Sequence, residues 1–98
     1  MEFELKRKVI LYEGKSRVWH MIFLPKGLSN DLKKFFEGMT SGFGSLPVEV
    51  TIGKTTWRTS IFPENKEGAF LLLLKAEVRR KENISAGDTV PFLLKILI

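Results

Sequence analysis

The side chains best suited to binding chemistry in this sequence are hydroxyl and cationic groups in the segment "TTWRTS". Thr56, Arg58 and Ser60 occupy alternate positions, so in a strand they would project from one face about 7 Å apart. All three donate hydrogen bonds that a carboxylate or phosphate would accept. The solvated face of an amphipathic strand would show the same alternation. We therefore predict an anion-binding row here, with an ordinary solvated face as the alternative.

A second group of cations lies in the segment "KAEVRRKE", residues 75–82. Arg79, Arg80 and Lys81 follow one another on a predicted helical turn about 100° apart, so they cannot all face one ligand. Contact of Val78 with the body of the protein would leave Arg79 nearer to it than the other two. We expect Lys75 and Arg79 to extend the binding row of the segment "TTWRTS". Solvated charge is again the alternative.

Residues that would support catalysis or metal binding are few. His20 is the only histidine and cysteine is absent, so no set of side chains has the spacing of a metal site. A relay of Ser45 or Ser60 with His20 and Asp88 can be written down, but "GFGSLP" is not a nucleophile elbow. The same glycines precede a strand rather than a helix, unlike a dinucleotide-binding loop. We predict no catalytic residue, no metal and no cofactor.

Two other pairs of residues have structural and functional interpretations. Gly87 and Asp88 are predicted to form a structural turn, because glycine adopts a positive φ and the aspartate side chain accepts backbone amides. A catalytic carboxylate is the alternative. Trp19 and Trp57 would suit base stacking beside basic residues. Both lie in apolar-rich strands, however, which favours packing in the core or at its rim.

Composition and charge define the class of protein. The chain has 98 residues, of which 44% are hydrophobic, and this suits a single domain over residues 1–98. An excess of 16 Lys and Arg over 11 Asp and Glu gives a net charge of +5, which favours loose association with polyanions. The start, "MEFELKRK", lacks the apolar stretch of an export signal. With no cysteine and no apolar run near the ~20 residues of a membrane helix, we expect a cytoplasmic protein without a membrane partner.

The order of elements indicates a small all-β protein with minor helix. Alternation and turn residues predict strands over 3–12, 17–24, 48–53, 55–62, 69–74 and 89–98. A helix is predicted from Ser29 or Asn30 to Gly38, with Leu32, Phe35 and Phe36 on its apolar face, and a helical turn over about 76–82. Several strands are apolar on both faces. A closed barrel, a covering helix or a second copy must bury the excess, so both a monomer and a homodimer remain open.

Two long stretches carry a resemblance to a known family. They are "GFGSLPVEVTIGKTTWRTSIFP" and "LLLLKAEVRRKENISAGDTV", and with "FLP" at the end of the second strand they resemble the small prokaryotic family called domain of unknown function nineteen-oh-five. The resemblance spans nearly the whole chain. It implies a six-stranded double-split β-barrel with one capping helix and a short helical turn before the last strand. Barrels of the AbrB and MazE type share that fold group. It implies no activity and no catalytic residues.

Two functions follow as expectations from these residues. The first is a non-catalytic binding module that holds a small anion or an acidic peptide at Thr56, Arg58, Ser60, Lys75 and Arg79. The alternative is a nucleic-acid-binding barrel of AbrB-like type, favoured by the net charge and the implied fold group. An enzyme is a third class, and it would need a pocket holding His20 or a perturbed carboxylate.

Overall fold

The computed structural model describes residues 1–39 and 44–98, which form seven strands and two helices. In chain order these are β1 (Glu2–Lys8), β2 (Ile10–Glu13), β3 (Val18–Phe23), α1 (Lys26–Phe35), β4 (Leu46–Ile52), β5 (Thr55–Glu64), β6 (Ala69–Leu73), α2 (Ala76–Lys81) and β7 (Thr89–Ile96). The strands form one antiparallel sheet in the order β1-β7-β4-β5-β6-β3-β2, curled into a half-barrel. The expectation of an all-β protein with minor helix is confirmed. Part of the glycine-rich connection "TSGFGSLP" lies outside the described residues.

The predicted first strand is divided at Val9, and this division accounts for a seventh strand where six were predicted. β1 pairs with β7, whereas β2 pairs with β3. Val9 is buried between them, and its N–H donates to the Asp88 carbonyl over 2.8 Å while its carbonyl accepts from the Gly87 N–H over 2.8 Å. One run of chain therefore lies at both edges of the sheet. The observed half-barrel replaces the predicted double-split barrel.

The core lies on the inner face of the curl, and β4 reaches it by strict alternation. Val48 and Val50 are fully buried, whereas Glu49 and Thr51, which alternate with them, are only half-buried. This is the period-two pattern expected of a sheet with one covered face. β5 joins the two halves of the sheet, because residues 55–61 pair with β4 and the remaining residues pair with β6.

The helix α1 begins earlier than predicted, at Lys26 directly after Pro25. Ser29 or Asn30 was expected to cap the N-terminal end of the helix, but both lie within it. The Ser29 N–H donates to the Pro25 carbonyl over 2.9 Å. Its buried hydroxyl accepts a hydrogen bond from the Phe70 N–H over 3.0 Å. The serine therefore connects α1 to β6 rather than capping the helix. The residue before the helix is Pro25, and no side-chain hydrogen bond caps the helix there.

The apolar face of α1 is also narrower than predicted. Leu32 and Phe36 are buried, but Phe35 is 61% exposed. The residues that face the sheet are Ser29, Leu32 and Phe36, at positions i, i+3 and i+7, so Phe35 lies to one side of this stripe. Its ring instead contacts Phe36 edge-on, with the centroids 4.9 Å apart. The prediction that Phe35 belongs to the core was wrong.

The helix α2 is anchored to the sheet by Val78 and by Glu82 at its C-terminal end. Val78 is 4% exposed, and Thr55 donates a hydrogen bond of 2.6 Å to the Glu82 carboxylate. The same carboxylate lies so close to Gly53 that a Cβ there would collide with it. Gly53 also has a φ of +56°, which a residue with a side chain adopts at a cost. These contacts fix α2 across one end of the sheet, where it covers part of the inner face.

Candidate functional site

A cavity of about 380 Å³ lies where α2 meets the adjoining ends of β3 and β6. Three cations line it, Arg17, Lys75 and Arg79, together with two uncharged polar residues, His20 and Thr59. Its apolar wall consists of Val18, Trp19, Leu73, Leu74 and Ala76. None of the described residues that line this cavity carries a carboxylate. Positive charge is therefore concentrated on one concave surface.

Arg79 is held in the wall of the cavity by the backbone. It is half-buried, and its Nε donates to the Leu74 carbonyl over 3.2 Å. Leu74 is itself fixed, because its N–H donates to the His20 carbonyl over 2.9 Å. One terminal nitrogen, Nη1, lies 3.4 Å from the His20 Nε2. A guanidinium has five N–H donors, so Arg79 retains donors for a ligand after these two contacts.

His20 is the residue of this cavity whose pKa is shifted. Arginine can only donate, so the His20 Nε2 that faces Arg79 accepts and the ring proton lies on Nδ1. Nδ1 is buried and has no hydrogen-bond partner among the described residues. Burial, and after it the charge of Arg79, lower the pKa of His20 below its ordinary value of 6.5. The imidazole is therefore mostly neutral at pH 7 when no anion is bound in the cavity.

Arg17 is positioned at the cavity by the hairpin between β2 and β3. The Gly14 N–H donates to the Arg17 carbonyl over 2.7 Å, and the guanidinium carbon lies 5.5 Å from the centroid of the Trp19 ring. At this distance the ring face attracts the cation. Arg17 and Lys75 are exposed, whereas Arg79 is half-buried. Two exposed cations thus lie at the mouth of the cavity and one half-buried cation lies in its wall.

The structure divides the five predicted binding residues into two groups. Lys75 and Arg79 line the cavity, but Thr56, Arg58 and Ser60 project from the outer face of β5. Successive side chains of a strand point to opposite faces, so Thr59 reaches the cavity and its two neighbours do not. The Arg58 Nε instead lies 3.5 Å from the Glu49 Oε1.

Cross-strand pairing accounts for the polarity of that outer row. The Thr56 hydroxyl is 2.9 Å from the Thr51 hydroxyl on β4. Glu2, Lys95, Glu49 and Arg58 lie in register across four neighbouring strands, with alternating charge. Opposite charges in facing positions stabilise a sheet modestly. Thr56 and Arg58 therefore have partners within the protein, which the sequence could not indicate because the partners lie on another strand.

The remaining cations of α2 lie away from the cavity. Arg80 and Lys81 are exposed, and the Lys81 Nζ is 3.1 Å from the Glu77 Oε1 one turn earlier. This ion pair lowers the pKa of the Glu77 carboxyl. Arg79 is thus the cation of this run that the protein body holds, as the helical spacing predicts.

Gly87 and Asp88 form a tight turn that leads into β7. Gly87 has a φ of +93°, and the Asp88 carboxylate accepts a hydrogen bond of 2.8 Å from the Ser85 N–H. Both residues also hydrogen bond to Val9 through the backbone. The carboxylate is therefore engaged in holding the turn, and it is absent from the lining of the cavity.

Sequence reasoning missed Arg17, His20 and Thr59 as members of one site. Their spacing along the chain gives no sign of proximity, because three different strands or turns supply them. Thr59 did carry a signal, since it is a polar residue between Trp57 and Ile61 on the inward face of β5. His20 was considered only as a base or metal ligand.

Residues 1–39 and 44–98 were also compared with the requirements of a metal site and of a membrane-spanning helix. No group of three or more histidines or carboxylates there has the arrangement needed to hold a metal ion. Within the same residues, no helix has the length and apolar character needed to cross a membrane.

These features define a class: a small, mostly β protein whose curled half-barrel carries a cationic cavity beside its second helix. The family model described as Domain of unknown function (DUF1905) matches residues 7–94. The chain therefore belongs to that family, and the resemblance of its sequence to the family is confirmed; the grouping with AbrB and MazE barrels stays a prediction. No curated protein matches the chain.

Proposed function

We propose that this protein is a non-catalytic binding module that holds a small oxyanion in the cavity beside α2. The observation that supports the proposal is the presence of Arg17, Lys75 and Arg79 around one cavity whose described lining has no carboxylate. Charge-assisted hydrogen bonds to such cations are the strongest that side chains make with carboxylates and phosphates. The proposal retains Lys75 and Arg79 from the sequence prediction and replaces the outer row of β5 by the cavity residues.

Each group of residues has a distinct role in this proposal. The free donors of Arg79 bind the oxyanion, and the Thr59 hydroxyl donates a further hydrogen bond. Arg17 and Lys75 attract the ligand from solution by long-range electrostatics. The apolar wall, with Trp19 and Leu73, contacts the uncharged part of the ligand. A volume near 380 Å³ is at the lower end for small-molecule sites, so the ligand is a compact carboxylate or phosphate, or the acidic side chain of a peptide.

Calorimetric titration with sodium sulfate tests the proposal directly. We expect saturable binding with one site per chain and a rise in melting temperature with sulfate concentration, since a ligand at a hundred times its Kd stabilises a protein by about 2.7 kcal/mol. Sodium chloride at equal ionic strength is the control, and phosphate, acetate and a short Asp-rich peptide identify the oxyanion. Absence of heat and of any melting shift with all four at ~10 mM would contradict the proposal.

The affinity for sulfate is expected to increase as the pH falls from about 8 to about 5.5, because a bound anion raises the pKa of His20 and binding then takes up a proton. The other charged groups of the cavity are Arg17, Lys75 and Arg79, and sulfate keeps its charge throughout. In the free protein the lowered pKa makes stability fall as the pH drops below 6.5, so sulfate should offset this loss.

Calorimetry at a series of pH values measures this effect. We expect a gain of about three- to fivefold in affinity, equivalent to about 0.7–1 kcal/mol for a partly exposed charge pair. The variant His20→Gln is the control, and its affinity should change little with pH. An equal pH dependence in both proteins would show that His20 is not coupled to the site.

Nucleic-acid binding remains the alternative function, and it is supported by the net charge of +5 and by Trp19 beside Arg17. It predicts an affinity for mixed DNA or RNA that decreases with salt, by about 0.9 in log affinity per log salt for each phosphate neutralised on duplex DNA. Fluorescence anisotropy at ~50 mM salt measures it. Binding of nucleic acid without binding of sulfate would favour this alternative over the small oxyanion.

A further inference from the structure

The outer face of the sheet changes character between its two halves. Across β4, β7 and the first part of β5 it carries paired charges and hydroxyls, as described for Arg58. Across β2, β3, β6 and the end of β5 it is apolar, and we call this region the apolar face. It consists of Ile10, Tyr12, Met21, Phe23, Phe62 and Leu71.

Several large side chains of the apolar face are open to solvent. Ile10, Tyr12 and Phe62 are 42%, 58% and 42% exposed. A groove of about 440 Å³ runs over this face and ends at Glu64, Lys66 and Glu67. Contiguous apolar surface of this kind on a small protein marks an interaction site.

The apolar face continues to an open edge of the sheet. β2 is the last strand in the order, and all four of its residues are exposed. Its sequence "ILYE" has no proline or lysine, and its one charged residue is Glu13 at the end of the strand, so the first three residues carry none of the groups that block an edge. The exposed apolar side chains of β2 and the apolar face beside it together form a surface that a binding partner could bury.

The two ends of the apolar face carry different charges. The turn between β2 and β3 supplies Lys15 and Arg17 at one end. The turn after β5 supplies Glu64, Lys66 and Glu67 at the other. The turns lie at opposite ends because β3 and β6 are antiparallel. One end is therefore cationic and the other has a net negative charge.

We propose that the apolar face is a two-fold symmetric interface between two copies of this chain, packed face to face with their strands antiparallel. This arrangement places the cationic end of each copy, with Lys15, against the Glu64 and Glu67 end of the other. In a two-fold interface this contact between opposite charges occurs twice, because each copy supplies both a cationic end and an acidic end. An acidic peptide or an anionic lipid surface would instead be repelled by Glu64 and Glu67.

Sedimentation equilibrium over concentrations from ~1 μM to ~1 mM tests this interface, because a homodimer forms by mass action. The mass should rise from 11.2 kDa to twice that value. The variants Tyr12→Glu and Phe62→Glu should each raise the dissociation constant at least about tenfold, because a charge replaces apolar contact at the interface. The control is Phe35→Glu, which adds the same charge at a residue that is 61% exposed on α1 and should leave the constant unchanged.

Far-UV circular dichroism confirms that each variant is folded, and hydrogen exchange of the unmodified protein gives a second measurement. Protection of the β2 amides should increase with protein concentration. A protein that stays monomeric at ~1 mM overturns the proposal. A dimer that survives both the Tyr12 and the Phe62 variants overturns it as well.

A charge exchange tests the antiparallel arrangement. Lys15→Glu and Glu67→Lys should each weaken the dimer, and the double variant should recover most of the lost affinity, because it restores opposite charges between the two ends. The single changes are expected to cost about two- to fivefold each, since rim charges contribute modestly. A double variant as weak as the combined single variants would overturn the antiparallel arrangement. This test does not depend on sulfate binding, so it can fail while the oxyanion site stands.

Discussion

The variant Arg79→Met is expected to bind sulfate about 10- to 100-fold more weakly than the unmodified protein. A hydrogen bond to a charged partner contributes about 1.5–3 kcal/mol, and Arg79 is the cation that the backbone holds in the wall of the cavity. Methionine retains much of the apolar stem of the arginine side chain and so preserves the packing that this stem makes. Calorimetry at pH 7 measures the affinity, and circular dichroism verifies the fold.

The matched control for this variant is Arg58→Met. It removes the same charge from the outer face of β5, where Arg58 is 76% exposed and paired with Glu49. We expect less than about a twofold change in sulfate affinity, because exposed charges at a distance are screened by salt. Equal losses in the two variants would mean that net charge, not the cavity, determines binding. An unchanged affinity in Arg79→Met would exclude the cavity as the site.

Replacing Phe36 with alanine is expected to destabilise the protein by about 3–5 kcal/mol, the usual cost of removing a buried phenylalanine ring. That is a large part of the stability of a typical domain, about 5–15 kcal/mol. Phe36 is 3% exposed and belongs to the stripe of α1 that faces the sheet. Urea denaturation followed by circular dichroism measures the change in unfolding free energy.

The adjacent residue provides the comparison for this experiment. Phe35→Ala removes the same ring one position earlier, but Phe35 is 61% exposed and loses chiefly an edge contact worth about 0.5–1.5 kcal/mol. The ratio of the two effects therefore reports which side of α1 meets the sheet. Equal destabilisation by the two changes would mean that both rings are buried, as the sequence pattern alone predicts.

Strand positions were predictable here because they depend on local alternation. Val48, Val50 and Ile52 follow the period of two, and the structure buries all three. The break at Val9 was not predictable, because it results from hydrogen bonds to Gly87 and Asp88, far along the chain. The extra strand is therefore a consequence of tertiary pairing, which leaves no local pattern.

The start of α1 illustrates a different limit of sequence reasoning. Serine is a favoured residue at the N-cap of a helix, so the sequence pattern predicted Ser29 at the start of α1. Its hydroxyl instead accepts from Phe70 on a strand that is distant in sequence. The sequence suggested a capping role for Ser29, because it could not show that the Phe70 N–H would lie next to the serine hydroxyl.

The candidate site was predictable to the extent that helical geometry determines it. Arg79 was separated from Arg80 and Lys81 by their angular spacing, and it is the half-buried member of the three. Arg58 could not be distinguished from a binding residue without knowing that Glu49 lies opposite it. The sequence therefore indicates which residue types bind anions, and the register of the sheet determines which of them share a cavity.

The pairing of β1 with β7 also has a consequence for how the molecule assembles during synthesis. Its partners lie about 80 to 90 positions apart, and such distant contacts slow folding because a long loop must close first. The hairpins β2–β3 and β4–β5 can form as soon as they leave the ribosome. β1 must wait until β7 has been translated, so until then the nascent chain leaves β1 and one side of β4 without a neighbouring strand.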